Sequence, residues 1–319
     1  MNILVTGANG FVGKAICEMG KKAGHKMFAC QRNNTLNESA ETRHITDISD
    51  VDGLFKAMNG CEVVVHLVAR THVIKETSAK KLSEYQKINV GGTKAILNAA
   101  KKAGVRRVVF MSSVKVHGDV NNNSAFTEQS PLSPSDAYGK TKREAERVLR
   151  RLCDDSNIEW CILRPPIIYG PGVKGNFQSL IRICDTPLPL PFGSLVKNKR
   201  SIIGINNLAS AVLSAATHTN AVGKIFLVRD AEDISTTKLI RLIRSELGRP
   251  ACLVSIHPWL MNLGLTILGK RNIAIRLLGS LTIDDSLIRS CLDWRPEFDI
   301  QTSLRSTIKF WQHQKTNKS

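Results

Sequence analysis

The stretch NILVTGANGFVG, residues 2–13, decides the fold. NILVTG contains a short apolar run of the kind found in buried strands. Glycines at 7, 10 and 13 follow at once, in a GxxGxxG spacing. GFVGKAICEMGKKAG then carries a helical pattern that ends at Gly24. Glycine permits the tight turn and lets backbone approach a pyrophosphate resting on the helix N-terminus. The spacing alone is weak evidence, but a strand before it and a helix after it supply the required context. The competing reading is a glycine-rich turn with packing duties only.

Outward from this stretch the first half alternates. KMFACQ reads as a strand, VDGLFKAMNG as a helix, EVVVHLVA as a valine-rich strand, and about 82–103 as a long helix. RRVVFMSS is a strand, 119–136 a loop rich in Asn, Ser and Pro, and EWCILRPP a further strand. Strand–helix alternation with nearly continuous apolar strands predicts a parallel sheet covered on both faces. The expected fold is α/β: a Rossmann-type doubly wound parallel sheet with a smaller, interleaved C-terminal substrate domain. The expected dinucleotide domain spans 1–165 plus about 201–228, and the substrate domain about 166–200 and 229–315. After Pro165 the chain is Pro/Gly-rich, then INNLASAVLSAA reads as a helix, KIFLVRD as a strand and STTKLIRLIRSELG as an amphipathic helix. No internal repeat stands out.

The second strand ends Gln31-Arg32, without a carboxylate. An acidic residue there binds a ribose 2′-hydroxyl, whereas an arginine accommodates a 2′-phosphate. Arg32 therefore tilts the choice toward NADP(H) over NAD(H); alternatively it stacks on the adenine and either cofactor binds.

Composition bounds the rest. The 319 residues are 42% hydrophobic and 23% charged, ordinary for a globular protein. The formal charge of +18 calls for an anionic partner. It is scattered in short runs such as Lys101-Lys102, Arg106-Arg107 and Arg150-Arg151, which read as solvated faces. With three tyrosines and no aromatic–basic interleaving, no nucleic-acid partner is expected. Eight cysteines show no CxxC and no metal-ligand spacing, so they read as buried thiols of a reducing compartment and no metal is expected. The chain opens directly on a strand, with no signal peptide, and a cytoplasmic location is expected. No apolar run reaches a membrane span. The nearest, 258–281, is interrupted by Lys270-Arg271 and reads as one or two core helices, with peripheral membrane contact as the lesser alternative.

SDAYGKTKREAE, residues 135–146, places Tyr138 four residues before Lys142 at the start of a charged helix. Such residues share a helix face. An ammonium near a phenol favours the phenolate and lowers its pKa, giving a proton donor or acceptor near neutral pH. Chance also produces this spacing, so the rest of the chain must decide.

TGANGFVG, then MSSV ending a strand, then YGKTK resemble the extended short-chain dehydrogenase/reductase family, the epimerase/dehydratase group. KINVGGTKAIL, PLSPSDAYGKTKREAE, LRPPIIYGPG, KRSIIGINNLASAV and LDWRPEFDIQTSLR look like family blocks in family order. SSVKVHG, GNF and GSLTIDDS look most like bacterial UDP-sugar 4-epimerases and UDP-4-keto-sugar 4-reductases of surface-polysaccharide pathways. The resemblance implies Tyr138 as general acid/base, Lys142 as its partner and nicotinamide-ribose ligand, and Ser113 as hydrogen-bond donor to the substrate oxygen. It implies that the cofactor meets Gly7, Gly10, Phe11, Val12, Gly13, Arg32, Asp47, Ile48, Leu67, Val68, Ala69, Asn89, Pro165 and Ile167. Asn176, Arg200 and Arg276 would hold a nucleotide diphosphate, with Lys115 beside the sugar. Two guanidinium forks suit a diphosphate.

His117 stands where the family commonly has tyrosine, and Asn207 where it commonly has aspartate. Val114-Lys115 lacks the acidic pair of a 4,6-dehydratase. The expected activity is an NAD(P)-dependent UDP-4-keto-6-deoxy-hexosamine 4-reductase; the alternative is a UDP-glucose/UDP-N-acetylglucosamine 4-epimerase. The UDP-sugar is the expected partner, together with a homodimer packed through helices 82–103 and 137–155.

Overall fold

A computed structural model describes residues 1–32, 38–71, 78–121, 124–269 and 271–316. Its sheet begins with β1 (Asn2–Thr6), which feeds α1 (Phe11–Lys22) and β2 (Lys26–Gln31). β3 (Glu41–His44), α2 (Val51–Met58) and β4 (Val63–His66) follow. The expected helix at 82–103 is α3 (Ser78–Tyr85), one π-helical turn (Gln86–Gly91) and α4 (Gly92–Lys102) in succession. Next come β5 (Arg107–Met111), α5 (Ala137–Asp154) and β6 (Glu159–Arg164). The remainder is β7 (Ile167–Tyr169), α6 (Gly175–Cys184), β8 (Ile202–Gly204), α7 (Ile205–Thr217) and β9 (Lys224–Leu227), then α8 (Thr236–Glu246), α9 (Pro258–Ile267), α10 (Arg271–Leu278), α11 (Ser286–Leu292) and α12 (Ile300–Thr316).

Seven strands pair in the order β3-β2-β1-β4-β5-β6-β9, parallel throughout. Helices cover both faces, so β1, β4 and β5 are buried nearly end to end. One core layer joins β1, β4 and β5 side chains to α1 and α7, the other to α2, α4 and α5. The strand order reverses between β1 and β4, and ligands of such sheets bind outside the carboxyl ends at that switch point.

A third core cluster gathers Tyr169, Phe177, Ile181, Ile240, Ile243, Leu304 and Ile308 beneath the second lobe. Ile288, Leu292 and Trp294, although late in the chain, pack instead into the sheet core. β3 escapes the sequence reading because ETRH offers no apolar pattern.

Two expectations need correction. Arg107 is not a solvated charge but fully buried. Its Nη1 donates to the carbonyls of Ala215 (3.0 Å), Ala216 (3.1 Å) and His218 (2.7 Å), and its Nε to Glu159 (2.8 Å). These are the orphan carbonyls at the end of α7, where a cation is favoured. The 258–281 stretch forms two helices, but α9 is not core. Only Met261 is buried and Leu265 half-buried; most other side chains face water. Lys270 lies outside the described residues. Six of the eight cysteines are buried free thiols, while Cys252 is exposed and Cys291 half-buried. Among the described residues no helix is long and apolar enough to cross a membrane.

Candidate active site

The chemistry gathers where β5 ends beside β6. Past the strand ends, Ser112 N donates to Leu163 O (2.8 Å) and Val114 N to Pro165 O (2.9 Å). Ser113 is extended and caps the 3-10 turn Val114–Val116, its Oγ accepting from Lys115 N at 3.3 Å. α5 begins against this turn. Asp136 caps it by accepting from Gly139 N (2.8 Å). A Cβ on Gly139 would stand 2.6 Å from Lys115 O, so only glycine allows helix and serine turn to touch here. One helical turn later Lys142 Nζ donates to Met111 O at 2.6 Å and lies 4.3 Å from the Phe110 ring centroid. The first two turns of α5 therefore run along residues 110–115, with Gly139 against Lys115 and Lys142 against Met111.

The electrostatics differ from the sequence expectation. Burial raises the Tyr138 pKa, and the charge of Asp136 adds to the rise. Lys142 is itself buried, which draws its ammonium down to about 7 against a pull upward from Glu146.

Two buried polar threads that the sequence does not announce support α5. In the first, Thr93 Oγ1 donates to Asn89 O (2.7 Å) and so accepts from His66 Nε2 (3.1 Å). His66 Nδ1 then accepts from Thr6 Oγ1 (3.0 Å), whose oxygen also accepts from Leu67 N (3.1 Å). This assignment follows from the network. Burial, with the nearby Lys142 charge, lowers the His66 pKa to about 3, so the ring is neutral. Asn89 Oδ1 accepts from Arg70 N (2.7 Å), and its Nδ2 donates to Thr141 Oγ1 (3.0 Å), which donates to Ala137 O (2.9 Å). The π-helical turn carries Asn89 into this position, a frequent use of such turns.

In the second thread Glu146 accepts two bonds from Arg164 (2.9 and 2.6 Å) and one from Ser112 Oγ. Arg164 Nη1 also donates to His117 Nε2 (2.9 Å), and His117 Nδ1 donates to Ser130 O (3.1 Å). Burial and Arg164 hold the His117 pKa near 4. With both nitrogens engaged and its ring stacked on Phe126, His117 is tied into this thread. Glu146 falls four residues after Lys142, which was the one available signal for this thread.

The glycine loop fits a dinucleotide. Gly7 has φ +70, and its neighbour across the switch point is Val68, 3.4 Å from where a Cβ would stand. A Cβ on Gly13 would lie 2.4 Å from Gly7 O and 2.6 Å from Ala8 Cα. Phe11 packs toward Gly170 of the second lobe and Val12 against the sheet core. Leu67, Val68 and Ala69 are half-exposed at the end of β4, Pro165 is buried and Ile167 exposed. Ile48 is buried under Gly92. Asp47 is exposed; bonds from Ser49 hold its carboxyl below the usual range, and the charge of Arg32 adds to this.

On the substrate side Lys115 pairs with Asp136 and with Asp119 (3.3 Å). Arg276 lies 3.6 Å from each of the same carboxylates. Arg200 Nη1 donates to Arg276 O (2.8 Å) and Gly279 O (3.1 Å). Burial lowers its pKa to about 10, and the neighbouring Arg276 charge adds to the drop. The fold thus brings Lys115, Arg200 and Arg276 together around Asp119 and Asp136, acids the sequence reading passed over. Asn176 is exposed on the first turn of α6. Asn207 also finds its reason: its Nδ2 donates to Asp230 (2.7 Å) and Phe298 O (2.8 Å). An aspartate there would face the Asp230 carboxylate.

Fold and site define a Rossmann-fold enzyme of the extended short-chain dehydrogenase/reductase type. The family model described as NAD dependent epimerase/dehydratase family matches residues 3–228, and the chain belongs to this family. It is 35% identical over 310 residues to a UDP-glucose 4-epimerase of Vibrio cholerae, covering 97% of this chain and 94% of that one. It is 28% identical over 251 residues to the N-acetyl-alpha-D-glucosaminyl-diphospho-ditrans,octacis-undecaprenol 4-epimerase of Escherichia coli O157:H7, covering 78% and 73%. A solved UDP-glucuronic acid 4-epimerase from Bacillus cereus in complex with NAD shares the fold at TM-score 0.79 and 22% identity, over 98% and 99% of the two chains. The protein is an NAD-dependent epimerase or oxidoreductase. NAD is one of the two cofactors that Gln31-Arg32 leaves open.

Proposed function

We propose that the protein is a UDP-sugar 4-epimerase that retains its NAD. The observation that carries this reading is the placement of Tyr138 and Lys142 along the Met111–Lys115 turn, at the carboxyl edge that also holds the glycine loop. The names of the relatives support C4 as the reacting carbon. The 4-reductase expectation leaned on Arg32 as a 2′-phosphate ligand. Arg32 is exposed, and the family is NAD dependent, which favours the epimerase.

Residues of the glycine loop, the end of β4 and Lys142 would hold the cofactor. When bound, the nicotinamide supplies hydride exchange at C4. Tyr138 exchanges the proton of the C4 oxygen, and Ser113 donates a hydrogen bond to that oxygen as charge develops. Lys142 orients the ribose and supplies positive charge near the phenol. Arg200 and Arg276 bind the diphosphate, which competes for Arg276 with Asp119 and Asp136. A homodimer and a cytoplasmic location belong to the same proposal.

The test is turnover of UDP-glucose and UDP-N-acetylglucosamine by the purified protein, with and without added nucleotide, after assay for bound NAD. The expected outcome is interconversion with no added reductant. Consumption of NADPH in proportion to product would restore the reductase reading.

A further inference from the structure

Helix α9 leaves much of its apolar surface in water. Trp259 is 62% exposed, Leu260 51%, Leu263 43%, Ile267 76% and Leu268 68%. Residues 259, 263 and 267 are spaced by four and share one stripe, and 260 and 268 lie on the stripe beside it. Met261 and Leu265, also four apart, turn the opposite way. Single exposed apolar side chains are ordinary, but four large ones on one short helix, with Leu268 at its C-cap, mark an interaction surface. Neighbouring chain extends the patch. Ser194 Oγ donates to Ile256 O at the root of α9, and Asn198 Nδ2 to Leu277 O (3.2 Å) at the end of α10. Between them lie exposed Val196 and Lys197.

Charge identifies the occupant. From Leu247 to Ile283 the sequence contains no Asp or Glu. Arg249 and Arg276 in this stretch pair with Asp185, Asp119 and Asp136, while Lys197 and Lys199, exposed beside the end of α10, add positive charge along the same edge. A second copy of the chain would seat the same cationic surroundings against themselves, because a two-fold contact is made by the same patch twice. An anionic lipid surface is complementary to both features: it attracts basic flanks and takes up tryptophan and leucine. Ten residues of helix are about 15 Å long, half the hydrocarbon thickness, so α9 lies on a bilayer and does not span it.

We propose that α9, with the adjoining edge of α10, is a docking element for the surface of an anionic bilayer. The consequence concerns the active site. α10 carries Arg276 to Asp119 and Asp136, and the end of α10 receives the Arg200 guanidinium. The α10 end of the docked hairpin thus roofs the proposed substrate cleft, and docking of α9 holds that cleft at headgroup level. The proposal rests on the exposed face and the local charge, so it stands or falls apart from the epimerase reading.

Sedimentation with vesicles tests it. The full-length protein is mixed with phosphatidylcholine vesicles, with or without about one third phosphatidylglycerol. It should bind the anionic vesicles about ten-fold more strongly or better, and salt should weaken the binding. The double variant Trp259→Ser/Ile267→Ser should lose about ten-fold of that affinity while UDP-sugar turnover and thermal midpoint stay unchanged. If the double variant fails to fold, Ile267→Ser alone, at the most exposed position, serves instead. Wild-type protein that stays in the supernatant with both compositions overturns the proposal, as does a folded variant that binds like wild type. A wild-type dimer that the substitution splits, without vesicle binding, assigns the face to a second copy and likewise overturns it.

Discussion

α5 sinks Thr141, Lys142 and Glu146 into the interior, whereas α9 with its C-cap leaves a tryptophan and four aliphatic side chains in water. Each buried polar group on α5 has partners: Thr141 bonds to Asn89, Lys142 to Met111 O, Glu146 to Arg164 and Ser112. Unpaired, such groups would cost several kcal/mol, so their retention signals a demand other than packing. That demand is geometry: the three residues fix α5 against the turn that carries Ser113. α9 shows the reverse imbalance, with apolar surface lacking cover where α5 has polar groups lacking water. One region is complete within the chain; the other gains its energy from something outside it. Changes on α5 should therefore damage chemistry and stability, and changes on the α10 side of the substrate cleft should alter binding.

The largest effect expected is on chemistry. Tyr138→Phe should lower turnover about 10²- to 10⁴-fold, the range of a general acid/base, with the fold intact. Circular dichroism and a UDP-glucose assay on the same preparation check this. A variant keeping more than about a tenth of wild-type rate would remove the phenol from the mechanism.

Next is the ion pair behind the lysine. Glu146→Ala leaves the Arg164 guanidinium buried with His117 as its remaining side-chain partner. Breaking a buried pair in this way costs about 3–5 kcal/mol. Denaturant unfolding should show a loss of that order; a change under about 1 kcal/mol would mean that water relieves Arg164.

These contacts also show what could be read from the chain. The glycine turn after NILVT and the valine-rich strands announce the fold, since both signals are local and the parallel strands are apolar throughout. Tyr138, Lys142 and Ser113 were singled out through spacing and the family resemblance. The partners that hold them were not. Arg164 meets His117 and Glu146 only through the packing of β6 against α5, and Arg276 reaches Asp119 from the far end of the chain. Such pairings leave no periodicity in the sequence. Arg107 misled for the same reason, because its partners are backbone carbonyls that no residue code displays. α9 misled in the opposite direction: apolar composition reads as core, and only the fold reveals that little packs on it.

The buried lysine gives a pH effect of intermediate size. Lys142 has a folded-state pKa near 7, against an ordinary 10.5. Between those values the unfolded chain binds a proton that the folded chain does not, so stability rises with pH across that window. Below about pH 7 both states are protonated and the full cost of burying the ammonium is felt. Lys142→Met should flatten the rise. Unfolding midpoints of both proteins from about pH 6.5 to about pH 9.5 decide the matter, and parallel curves would mean that the ammonium is not desolvated.

The smallest effect belongs to the roof of the cleft. Arg276 stands 3.6 Å from Asp119 and from Asp136, distances that give attraction without a short hydrogen bond, and its side chain is 31% exposed. Pairs of this kind contribute under about 1 kcal/mol, so Arg276→Ala should leave stability nearly unchanged. It removes a cation from the proposed diphosphate site, and KM for a UDP-sugar should rise about ten-fold, or about 1.4 kcal/mol, with kcat held within about two-fold. That split separates α10 from α5. A fall in kcat at constant KM would place Arg276 with the reacting carbon and erase the division of labour between the two helices.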